Sequence, residues 1–228
     1  MRERARRKLR DILHPLEMKY GYFLPHRLSA SKHDELFSAI RSLMLREDVR
    51  TAVIIGASLS KRSTQALLAS ALENENGPSV FCIAGPGRRS SGLRKVGRGD
   101  PRFKCHRLPQ SFERNFPADL ESILQAIKEE EQIDTFDFVL VDGSELKHHS
   151  LTSAVATRAL AGTHFVVVDN TNSIYSNWIY GTLVGSPGYA AVIQNPALRG
   201  GYAIFEKVST WDDGSERQEL QLTGATAE

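Results

Sequence analysis

At 228 residues, with 41% apolar and 25% charged residues, the chain has the make-up of an ordinary globular protein and the length of one doubly wound domain. A net charge of +2 supplies no field that would argue for nucleic acid. No apolar run approaches the ~20 residues of a membrane span. Two cysteines, Cys82 and Cys105, without CxxC or Cys/His spacing, argue against a zinc module or a disulfide framework and for a reducing, cytoplasmic setting.

Residues 1–30 read as a basic extension. Arg2, Arg4, Arg6, Arg7, Lys8 and Arg10 crowd its start, and no apolar stretch follows that would make it a secretory signal. Ser31 stands as an N-cap, with Asp34 three residues on. Leu36, Ile40, Leu43 and Met44 then repeat at helical spacing, and the pattern stops near Arg46–Val49. Thr51–Ile55 is a β-branched strand closed by Gly56. A helix over Ser63–Leu72 and a strand over Ser79–Ile83 follow, the latter ended by Gly85-Pro86-Gly87. A Gly/Arg/Ser-rich loop, Gly85–Gly99, leads to a strand over Phe103–Leu108. The spacing predicts an amphipathic helix over Ala118–Gln132. It also predicts a strand over Phe136–Val141 with Asp142 at its end, and a helix over Leu151–Leu160. Next comes a strand over Phe165–Val168 with Asp169 at its end. Tyr189–Ile193 and Tyr202–Val208 are two final strands, closely linked and so antiparallel. From Ser209 the tail is polar.

Strand and helix thus alternate until a closing hairpin. That pattern predicts an α/β domain over residues 31–208, Rossmann-like and doubly wound, with a mostly parallel sheet and a C-terminal antiparallel hairpin. In such a sheet, ligands bind outside the carboxyl ends of the strands. Asp142 and Asp169 occupy two of those ends.

Three segments carry a resemblance to the class I S-adenosylmethionine-dependent methyltransferases, covering roughly Ser31 to Val208. They are Val53-Ile54-Ile55-Gly56 followed by Ser63-Thr64-Gln65, then Phe136-Asp137-Phe138-Val139-Leu140-Val141-Asp142-Gly143, then Phe165-Val166-Val167-Val168-Asp169-Asn170-Thr171. The resemblance implies a last strand inserted between its neighbours. It implies S-adenosylmethionine as cofactor, held by Gly56, Ala57, Ser58, Ser63 and Asp142. It implies a small-molecule or sugar hydroxyl as methyl acceptor. The chain departs from the family in having Ile54 where an acid is usual, no second glycine near Ser60, and Ala84-Gly85 where an acid ends the second strand. No carboxylate follows before Asp100.

Asp142, Asp169 and Asn170 match the ligand positions of the metal-dependent O-methyltransferases, which implies Mg²⁺ bound by oxygen donors. Capping or turn formation explains the same residues equally well. Glu145 stands where those enzymes carry a lysine, with Lys147 slightly later, so His148 is the candidate general base and joins Asp142 as the catalytic pair. His106 and His164 read as structural. Trp178 and Tyr180 follow the third segment and either stack on a ring substrate or pack in the core. Three functions stay open: an O-methyltransferase, monomeric or homo-oligomeric, with no nucleic-acid partner; a non-catalytic binding or scaffold protein that kept the fold and lost the cofactor; and an enzyme that takes an anionic nucleotide through Arg88, Arg89, Arg94, Lys95 and Arg98.

Overall fold

The structure is a computed structural model. It describes residues 35–58, 62–73, 77–85, 93, 100–108, 112–142, 160–198 and 200–208, the side chains of 112–117 and 175 excepted. The basic arm, Ser31 and Asp34, most of the Arg-rich loop, Glu145, Lys147, His148, most of the helix expected over Leu151–Leu160 and the tail lie outside them.

The elements in chain order are α1 (Glu35–Met44), β1 (Thr51–Ile55), α2 (Arg62–Glu73), β2 (Ser79–Ala84), β3 (Phe103–Arg107), α3 (Phe112–Glu131), β4 (Phe138–Asp142), β5 (Phe165–Asp169), α4 (Ile174–Val184), β6 (Tyr189–Asn195) and β7 (Tyr202–Lys207). Seven strands form one sheet in the order β3-β2-β1-β4-β5-β7-β6. Pairing is parallel from β3 through β5, and β7 runs antiparallel to both β5 and β6. The last strand is therefore inserted between its neighbours, and β6 takes the edge.

The continuous apolar runs have a simple cause. β1, β4 and β5 are buried at every residue, because helices cover both faces. Side chains alternate between two cores. Val53, Ile55, Val139, Val141, Val166 and Val168 meet Leu120, Leu124 and Ile127 of α3 and Ile179 and Leu183 of α4. Ala52, Ile54, Leu140 and Val167 meet Leu36, Ile40 and Met44 of α1 and Ala66, Leu67 and Ala71 of α2.

Three boundaries differ from the sequence reading. The strand expected from Phe136 begins at Phe138. Asp137 instead turns its carboxylate onto β1, where Oδ2 accepts from Arg50 N (2.9 Å), Thr51 N (2.9 Å) and Thr51 Oγ1 (3.0 Å). The helix expected from Ala118 starts at Phe112, with Pro117 in its second turn. The segment after Asn170, to which the sequence reading assigned no element, contains α4. Its N-cap is Ser173, whose side chain accepts from Ser176 N (3.2 Å). Among the described residues, no helix is long and apolar enough to cross a membrane.

Candidate functional site at the carboxyl edge of the sheet

β1 ends at Ile55, which is register-matched to Ile83 of β2 and Val141 of β4. One step further along, Asp142 of β4 faces Asp169 of β5 as a direct register partner. Adjacent strands lie ~4.8 Å apart, so the two carboxylates rise from neighbouring points on one edge. The sheet alone brings them together.

The turn after β1 is tightly held. Gly56 has φ +83°, a conformation that favours glycine. The Gly56 and Ala57 amides both donate to Ile83 O (3.0 Å each), which pins the turn to β2. Ser58 N donates to Thr64 Oγ1 (3.3 Å), tying the far end of the turn to the start of α2. Ala57, Ser58, Ser63 and Thr64 are all buried. The Ser63 hydroxyl is buried with no hydrogen-bond partner among the described residues. Gly56, Ala57, Ser58, Ser63 and Asp142 thus gather on the sheet edge where a cofactor was expected.

A carboxylate at the end of a strand, such as Asp142, would ordinarily face solvent or ligand. Instead Asp142 is only 1% exposed and Asp169 8%. Both carboxylates are therefore enclosed at the strand ends rather than open to solvent. Burial raises the cost of the charged form, so such groups need close polar company.

The loop after β5 is organised from below. Asp169 Oδ1 accepts the Asn170 amide (2.9 Å), and Asp169 O accepts Ser176 Oγ (3.0 Å). Asn170 has φ +62°. Thr171 N donates to Gly201 O (3.0 Å) and Asn172 N to Gly200 O (2.8 Å). The Asn172 amide donates to Pro196 O (3.1 Å). Gly200 and Gly201, at φ +84° and +86°, make this close approach possible. A Cβ on Gly200 would stand 2.5 Å from Asn170 Oδ1, so that oxygen is directed at the β6–β7 link. Sequence reading took the β6–β7 link only as a short connection between antiparallel strands. The signal was there in two adjacent glycines opposite an Asp-Asn-Thr turn, but only the inserted position of β7 makes them neighbours.

Asn195 closes the link. Its Oδ1 accepts from Ala197 N and Leu198 N (3.1 Å each), and its Nδ2 donates to Glu35 Oε2 (2.8 Å) at the start of α1. Hydrogen bonds with Asn195 and then Tyr202 hold the Glu35 carboxyl below its usual range.

Of the three oxygen donors considered for a metal, the register sets Asp142 and Asp169 side by side. Asn170 Oδ1 lies against Gly200, and Asp169 Oδ1 is engaged by its own loop. No cluster of three or more His, Cys, Asp or Glu suited to a metal occurs among the described residues. The second-strand end, Ala84-Gly85, offers no carboxylate there. The next one, Asp100, lies at the amino end of β3, ion-paired with Arg102 (2.7 Å), whose carbonyl accepts Val80 N at the start of β2. It is at the opposite edge of the sheet.

His164 also lies at that opposite edge, stacked on Phe165 (4.0 Å) and 3.3 Å from Glu206. His106 lies on β3 against Phe81 (6.3 Å), and burial lowers its basicity. Both serve packing, as the sequence indicated. The aromatic pair on α4 divides. Tyr180 packs on Phe205 (5.9 Å) and donates to Gln194 Oε1 (3.1 Å), whereas Trp178 is 62% exposed.

No protein-family model matches the chain, and no curated protein matches it. Among solved structures it is similar to an O-methyltransferase from Bacillus cereus in complex with SAH, with a TM-score of 0.54 and 14% identity, over 88% of this chain and 90% of that one. It is also similar to cofactor-bound Rv0187 from MTB (TM-score 0.49, 17% identity, 75% and 77% covered). A third is precorrin-6y C5,15-methyltransferase from Geobacter metallireducens (TM-score 0.45, 14% identity, 77% and 88% covered). The first of these likenesses establishes a shared fold: the chain has the Rossmann-like architecture of class I methyltransferases.

Proposed function

We propose that this chain is an S-adenosylmethionine-dependent methyltransferase acting in the cytoplasm on a hydroxyl oxygen of a small molecule or sugar. One observation carries the reading. The Asp142–Asp169 register pair stands beside the pinned Gly56 turn, on the sheet edge where Rossmann-like folds take ligands. The fold shared with an SAH-bound O-methyltransferase supports it.

The residues present fit the cofactor. Gly56 has no Cβ, so a ligand can approach the backbone closely there. The buried Ser63 hydroxyl, without a partner among the described residues, is a donor awaiting an acceptor. When bound, the cofactor supplies an electrophilic methyl group on its sulfonium. The chain's part is to place the acceptor oxygen in line with it, and such positioning accounts for much of the rate in transfer reactions. Asp142 supplies the negative charge and hydrogen-bond acceptor that orient the acceptor hydroxyl, while Asp169 beside it holds the loop after β5 in place. The proton leaving that hydroxyl goes to His148 in this proposal. Trp178 offers an exposed ring beside the loop, suited to a planar acceptor.

Mg²⁺ does not enter the proposed step. Asn170 is directed at Gly200 and Asp169 holds its own loop, so the three-donor set is not presented together.

The test is calorimetric titration of the full chain with S-adenosylmethionine and S-adenosylhomocysteine. Saturable heat with both is expected. No heat at high protein concentration would overturn the proposal in favour of a protein that kept the fold and lost the cofactor.

A further inference from the structure

Cys82 on β2 and Cys105 on β3 are register partners in adjacent parallel strands. Both are thiols. They point to the same face: Cys82 belongs to the core beneath α1 and α2, and Cys105 packs against it. Parallel neighbours stand ~4.8 Å apart, inside the roughly 4.4–6.8 Å between Cα atoms that disulfides bridge. We propose that this pair is an oxidative modification site, at which a peroxide closes a reversible disulfide that staples edge strand β3 to β2. The inference rests on the β2–β3 register alone and not on the proposed activity.

The two sulfurs have unequal access. β3 ends the strand order, and Cys105 is half-buried on it. Cys82 is 3% exposed, and burial raises its thiol well above the ordinary range. Cys105 therefore meets the oxidant first. Its thiolate sulfur attacks one oxygen of hydrogen peroxide, the O–O bond breaks, the departing hydroxide takes up the proton that the thiol lost and leaves as water, and Cys105 becomes a sulfenic acid. The Cys82 sulfur then attacks the Cys105 sulfur. The S–O bond breaks and a second water leaves with the Cys82 proton. One peroxide is reduced to two waters while two thiols are oxidised to one disulfide.

The bond would carry strain. Disulfides want Cβ atoms ~3.8 Å apart, closer than the ordinary ~4.8 Å strand spacing, so the two Cβ atoms must lean toward each other by a local twist of β3 that leaves its ladder to β2 intact. Strain makes a disulfide easier to reduce, which suits a labile, reversible bond rather than a structural one. An edge strand can make that movement, since it is hydrogen-bonded along one side only.

The test uses the full native chain. It is reduced, exposed to hydrogen peroxide, alkylated and weighed intact, then digested. The expected product is two hydrogens lighter, has lost both free thiols, yields one peptide joined through Cys82 and Cys105, and reverts with dithiothreitol. Cys82→Ala should gain oxygen at Cys105 instead. Oxygen gain at Cys105 of the wild-type chain with no joined peptide would overturn the proposal. So would a disulfide between two chains on a non-reducing gel. The wild-type result decides the matter even if the variant does not fold.

Discussion

Gly200→Ala tests how the loop after β5 is held. Gly200 has φ +84°, and an alanine there meets a backbone penalty of about 1–2 kcal/mol before any contact is counted. Its Cβ would stand 2.5 Å from Asn170 Oδ1. Asn170 must then swing away, which strains the Asn172 N to Gly200 O bond (2.8 Å), and a net hydrogen bond is worth about 1 kcal/mol. The sum is a loss of roughly 2–3 kcal/mol, or about 4–12 °C in Tm for a domain of this size. Gly185→Ala is the matched control. Gly185 caps α4 at φ −78°, and its nearest atom to an added Cβ is Gly181 O at 3.4 Å, ordinary contact. That variant should match wild type or gain up to about 1 kcal/mol. Urea unfolding of the three proteins reads both numbers. If Gly200→Ala matches Gly185→Ala, the glycine is not what allows the loop to approach the β6–β7 link, and the account of the site's floor is wrong.

Asp142→Asn keeps the shape and removes the charge. It should lower methyl transfer by about 10²-fold or more with unchanged circular dichroism, and transfer at the wild-type rate would reduce Asp142 to a turn residue. Chelation with EDTA should leave transfer unchanged, whereas loss that Mg²⁺ restores would make Asp142 and Asp169 metal ligands after all. His106 gives a pH signature. Burial lowers its folded pKa below the ordinary 6.5, so the unfolded chain binds more protons as pH falls. Its contribution is present above 6.5 and is lost as pH drops through that value toward the folded pKa. Unfolding midpoints measured across this window should fall for wild type and fall less for His106→Gln. Parallel curves would refute the assignment.

The strands of the site were legible because burial on both faces leaves apolar runs, mostly β-branched, between turn signals. Val53-Ile54-Ile55 and Phe165 to Val168 are read almost to the residue. Phe136-Asp137 misled because an apolar residue and an acid before a strand look like its first pleat. Only the distant Arg50 and Thr51 amides show why Asp137 turns away. α4 was illegible for a different reason. Ile174, Trp178 and Val184 are exposed while Ile179 and Leu183 are buried, so apolar residues surround the helix and no amphipathic stripe marks it. Its remaining signals were Ser173 before it and Gly185 after it. The site itself was half legible. Strand-end carboxylates can be placed from sequence, because a parallel sheet puts all such ends on one edge. The approach of Asn170 to Gly200 depends on a link that only the inserted position of β7 brings beside β5.

The inserted position of β7 also bears on how the chain is made. β5 leaves a ribosome long before the strand that covers its outer side, since Phe165 pairs with Glu206 and Asp169 with Tyr202. At about 5–20 residues per second, a nascent chain carries Val166-Val167-Val168 with a bare edge for a few seconds. During that interval the open rim is a template for any passing extended peptide. Polypeptides released early, between β5 and β7, would keep that rim permanently, which makes them natural clients for chaperones and proteases rather than shorter working copies of the protein.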